Sequence, residues 1–143
     1  MTSRRLRRLA DVGLLLTAGA IVVLTLSPPD TIFADGWGVN SSFGHFALFA
    51  TLGATSALRF AVSDRARRFP RSSLGAAFFG FWLFAAATEL LQGPIGRDPD
   101  LRDWMLDMAG AVVGFLLGSF VLRTLIRPMQ AARARRAGAS RTR

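Results

Sequence analysis

The chain has 143 residues, enough for one domain, and 51% of them are hydrophobic. It contains no cysteine, which excludes disulfides, thiolate catalysis and cysteine metal ligands. The net charge is +9, and all 18 basic residues are arginine, so their distribution must separate a nucleic-acid binder from a membrane protein.

About 20 apolar residues are needed to cross the hydrocarbon core of a bilayer. Four stretches qualify, and each is read as a membrane span: Leu9–Ser27, Phe43–Val62, Leu74–Leu91 and Trp104–Leu122. The first follows a basic start, "SRRLRR", and is closed by Pro28-Pro29. It imitates a secretory leader, but no small-x-small cleavage site follows the apolar run, so a retained helix is expected. The second carries His45 near its start and Arg59 near its end, where a long side chain can reach the interface. The third opens after Pro70 and ends at Gly93-Pro94, a helix-breaking pair.

Arginine alternates with the spans. Arg4, Arg5, Arg7 and Arg8 precede the first, Arg65, Arg67, Arg68 and Arg71 separate the second and third, and seven more occupy residues 123–143. The other two loops hold only Arg97 and Arg102, beside Asp30, Asp35, Asp98, Asp100 and Asp103. By the positive-inside rule both termini lie in the cytoplasm. The expected fold is therefore all-α, a four-helix integral membrane bundle. Residues 1–8 form a basic cytoplasmic N-terminus, 9–122 the transmembrane domain, and 123–143 a basic, disordered cytoplasmic tail facing lipid. The same partition accounts for the basic excess without nucleic acid.

This topology gathers polar residues from distant segments at one depth, the outer face. Glu89 and Gln92 are spaced i,i+3 and share a helix face; Asp103 and Asp107 are spaced i,i+4. Gly110, Gly114 and Gly118 continue the aspartate side as GxxxGxxxG, a helix-packing pattern that lets a neighbouring backbone approach closely. Both aspartates are thus expected to face the bundle interior, with His45 completing the cluster and Arg97 contributed by the loop. Ionised groups inside a membrane are costly, so they pair, neutralise or face a wet cavity. Asp98, Asp100 and Arg102 are read as solvated loop charges, Trp104 as an interfacial anchor and Trp82 as packing.

The segments "FGHFALFATLGA" (43–54), "ELLQ" (89–92), "GR" (96–97) and "DWMLDMAGAVVG" (103–114) resemble, in order and spacing, the VanZ-like family of small membrane proteins. His45, Phe46 and Phe49 match its first block, Glu89 and Gln92 the second, Gly96 and Arg97 the third, Asp103 and Gly110 the fourth. Ser41 and Ser42 stand where the family often has Asp-Lys, and Asp107 where it has Asn. The founding member is linked to resistance to the glycopeptide teicoplanin. The resemblance therefore implies a bacterial plasma-membrane protein with an envelope role.

Two readings of function stay open. In the first, the cluster is an outer-leaflet site that binds or acts on an amphiphile, such as a membrane lipid, a lipid-linked envelope precursor or a glycopeptide-related ligand. Gln92, Arg97, Asp103 and Asp107 would bind it, Arg97 holding an oxyanion in bidentate fashion. In a catalytic version His45 and Glu89 would be general acid or base. Binding and catalysis use the same residues, so the sequence does not decide whether the protein is an enzyme. In the second reading the cluster is a closed polar network that ties helices together, in a protein acting through a membrane partner. No cofactor is expected. A divalent ion on His45, Glu89, Asp103 and Asp107 is chemically conceivable, but no compact ligand motif supports it, so no metal is assigned. A homo-oligomer through the glycine stripe is compatible with the pattern.

Overall fold

The computed structural model describes residues 3–27, 42–96 and 98–126. Their regular structure is helical, with no strand among the described residues. Helix α1 spans Ser3–Thr25, α2 Ser42–Ala61, α3 Asp64–Arg68, α4 Pro70–Gln92 and α5 Leu101–Val121. A 3₁₀ turn, Gly93–Ile95, prolongs α4, and a π turn, Leu122–Ile126, prolongs α5.

Local chemistry sets several of these boundaries. Ser63 caps α3 by accepting a hydrogen bond from Ala66 N–H at 3.3 Å. Pro70 opens α4 in its first turn, where the missing N–H costs nothing. The helix does not stop at Gly93-Pro94 but tightens into the 3₁₀ turn, which ends at Gly96 with φ 82°. Asp100 caps α5, its carboxylate accepting from Arg102 N–H at 2.8 Å. The arginines from Arg4 to Arg8 fall within α1, so the basic N-terminal segment is continuous with the first span.

Three helical stretches are long and apolar enough to cross a membrane: Arg4–Thr25, Pro70–Ile95 and Leu101–Thr124. The expected second span does not reach the same apolarity. His45, Thr51, Thr55, Ser56 and Arg59 dilute α2, which neighbouring helices cover along one face. Its His45, Phe49, Leu52, Gly53 and Ala57 are buried.

The most extensive packing joins α2 to α5, helices far apart in sequence; α1 against α2 comes next, ahead of the sequential pair α4 and α5. The reason lies in the glycine stripe. A Cβ on Gly110 would collide with the backbone of Phe46, one on Gly114 with that of Ala50, and one on Gly118 would crowd Ala54. Gly53 meets Ala111 in the reciprocal direction. Position and partner advance together by one helical turn, so the two helices run parallel with backbones in contact. Leu52, Phe49, Phe81, Ala85 and Phe115 fill the core beside this seam, with Ile21 from α1. Phe115 meets Phe60 edge-on at 5.6 Å between ring centroids, within the favourable range for aromatic pairs.

Two ion pairs, Arg7–Asp64 and Arg59–Asp11, join the start of α1, the end of α2 and α3. They mark one end of the bundle. The polar cluster occupies the other.

Candidate functional site

His45 lies on the first turn of α2 and is 3% exposed. Its Nδ1 is 3.1 Å from Asp107 Oδ1 and 3.7 Å from Glu89 Oε1, whereas Nε2 faces Asp103 Oδ2 at 4.0 Å. One imidazole therefore sits among three carboxylates carried by α4 and α5. Asp107 has no solvent exposure, and Glu89 is 5% exposed. Asp103, one turn nearer the helix start, is 20% exposed at its side chain.

Each partner is placed by helix geometry. Asp103 and Asp107 stack one turn apart on α5, so they approach opposite sides of the ring. Glu89 reaches inward from the last full turn of α4, with Gln92 one turn later donating from Nε2 to Glu89 Oε1 at 3.5 Å. Gly110 lets α5 lie against Phe46, the residue after His45, and this close approach brings Asp107 within reach of the imidazole.

Hydrogen bonds brace the acids from outside. Ser42 Oγ donates to Asp103 Oδ1 at 3.0 Å. The backbone N–H of Asp100 donates to Glu89 Oε2 at 3.1 Å. Asp100 is exposed, as expected of a solvated loop charge, and it has a structural part as well: its carboxylate caps α5 and its N–H holds Glu89. Ser42 was visible in the sequence only as a departure from the Asp-Lys pattern. Its partner lies 61 positions away, and no local rule connects the two.

Among the described residues, two polar atoms at this end of the bundle are buried with no hydrogen-bond partner, Asp107 Oδ2 and Trp104 Nε1. Leaving a buried polar atom unpaired is costly, which makes Asp107 Oδ2 the least satisfied point of the cluster. Trp104 packs against the hydrophobic core and is part-buried; Trp82, read as packing, is 45% exposed and stacks on Phe79. The reason is helical phase: Trp104 adjoins the Asp103–Asp107 face, while Trp82 projects from the outer side of α4.

The structure therefore brings His45, Glu89, Gln92, Asp103 and Asp107 together, with Gly110, Gly114 and Gly118 below them against α2. Arg97 lies outside the described residues. Among the described residues, no arginine pairs with any carboxylate of the cluster. His45, Glu89 and Asp107 each offer one ligand atom, all within 4.8 Å of one another, so this triplet is compact enough to hold a small cation.

A family model described as VanZ/LLP1 matches residues 5–123, most of the chain. No curated protein and no solved structure matches it.

Proposed function

The chain belongs to the VanZ/LLP1 family, and from that membership we propose an integral membrane protein of the bacterial envelope whose buried polar cluster binds or acts on an amphiphile. In this reading all four long helices lie in the membrane, both termini are cytoplasmic, and the cluster opens toward the outer leaflet. The arginines at the opposite end favour that orientation. The ligand is a lipid or lipid-linked envelope precursor with an oxyanionic head group. Arg97 and Gln92 contact the head group, and His45 and Glu89 are the groups that would exchange protons with it.

One observation carries the proposal. The cluster concentrates one imidazole and three carboxylates in a buried space, yet leaves Asp107 Oδ2 without a partner among the described residues. A network retained only to hold helices together is expected to satisfy its own members, because a partly satisfied one is worse than an apolar core.

A purely structural role has some support of its own. The Ser42–Asp103 and Asp100–Glu89 hydrogen bonds are the closed links such a role requires. The two readings separate in Glu89→Gln. A ligand site predicts a normally abundant, folded protein that no longer retains lipid in native mass spectrometry and no longer supports the envelope phenotype, with glycopeptide susceptibility as one readout. A structural network predicts reduced abundance and a lower melting temperature. Lipid retention and phenotype unchanged in both Glu89→Gln and Arg97→Ala would sink the ligand reading.

A further inference from the structure

We propose that His45 Nδ1, Glu89 and Asp107 bind a divalent transition-metal cation, which in turn holds the oxyanionic head group of the ligand. The inference rests on the ligand-site reading for its second half only.

Ligand atoms around such an ion lie about 2.0–2.2 Å from it, so any two of them are at most roughly 4.4 Å apart. The three candidate atoms already lie within 4.8 Å of one another, a few tenths of an ångström from that limit. The Nδ1 distances to Asp107 Oδ1 and Glu89 Oε1, 3.1 and 3.7 Å, lie on either side of the edge of roughly 3.4 Å that a tetrahedral set about 2.1 Å from an ion requires. The three ligands come from α2, α4 and α5, which explains why no compact motif announces them.

The second observation is independent of proximity. Asp107 is fully buried, its Oδ1 is turned to His45, and among the described residues its Oδ2 has no hydrogen-bond partner. A cation supplies what that oxygen lacks. Charge points the same way. Among the described residues, three carboxylates face one imidazole, and even a protonated ring offsets only one of them. A divalent ion bound by a neutral imidazole offsets two.

Asp103 has a different place. It lies on the Nε2 side of the ring, away from the other two acids, and is held by Ser42. That is where a carboxylate that orients a metal-binding histidine belongs, since the nitrogen opposite the metal carries the proton. One nitrogen and two carboxylate donors suit Mn²⁺ or Zn²⁺ better than Mg²⁺ or Ca²⁺, which favour all-oxygen sites. Three protein ligands leave a position for a phosphate or carboxylate oxygen.

The test uses the full chain in detergent, stripped with EDTA, dialysed against Mn²⁺ or Zn²⁺, and assayed for metal by mass spectrometry and for melting temperature. About one ion per chain is expected, with a melting temperature that rises on metal addition. Asp107→Asn and Glu89→Gln should lose the ion, Asp103→Asn should weaken binding about 10–100-fold, and Asp64→Asn, at the opposite end, should bind normally. Helicity and gel filtration establish that each variant is folded. Wild-type protein that takes up no stoichiometric metal overturns the inference, as does full occupancy in folded Asp107→Asn. Co-purifying lipid is measured in the same samples. Lipid retained without metal overturns the cation and leaves the ligand site standing; metal bound with no lipid does the reverse.

Discussion

Asp107 sits fully buried beside His45, with only one of its two oxygens engaged among the described residues. In the family pattern this position is Asn, so Asp107→Asn keeps shape and removes charge. We expect a folded protein whose melting temperature stays within about 4 °C of the parent, but which no longer retains lipid; circular dichroism melts beside native mass spectrometry read the two effects separately. Ser42 acts one step further out, through Asp103. Ser42→Ala removes a single part-buried hydrogen bond and should cost about 0.5–1.5 kcal/mol in thermal denaturation, with lipid retention weakened rather than lost. Asp100→Ala removes the cap of α5 but leaves the N–H that holds Glu89. A loss of about 1 kcal/mol with lipid retention intact is therefore expected.

At the scale of the element, the α2–α5 seam decides the geometry of everything above it. Gly114 allows the α5 backbone to lie against the Ala50 carbonyl, leaving no room for a methyl group. Gly114→Ala should cost about 1–3 kcal/mol or more and should also displace Asp107 from His45, so stability and lipid retention fall together. Gly75 on α4 has open space around it. Gly75→Ala should instead be neutral or stabilising by up to about 1 kcal/mol, because alanine is the better helix former. Parallel melts of the two variants make the comparison, and equal effects would contradict the packing. The sequence showed GxxxGxxxG on the aspartate side of one helix. It did not show that Phe46, Ala50 and Ala54 form the opposing surface, because small residues are common throughout the chain and none marks its partner.

At the scale of the whole molecule, the ion pairs Arg7–Asp64 and Arg59–Asp11 fix one end, and the His45 cluster lies at the other. Because the chain has no cysteine, single cysteines can be introduced without removing any. With a membrane-impermeant thiol reagent on intact cells, Asp98→Cys should label and Ser72→Cys should not; the opposite pattern would invert the proposed orientation. The sequence by itself determined the helical class, the apolar stretches at α1, α4 and α5, the arginine alternation, and the helix-face pairing of Glu89 with Gln92 and Asp103 with Asp107. All of these follow from composition, or from a period of 3.6 residues, which acts within a few turns. Tertiary structure alone decided that α2 is covered along one face by its neighbours, that it runs parallel to α5 with backbones touching, and that Ser42 and the Asp100 N–H brace the acids. It alone left Asp107 buried with one oxygen unpaired among the described residues. Those features depend on the fit between faces some 60 residues apart, and a side chain's local period carries no information about which distant backbone will meet it.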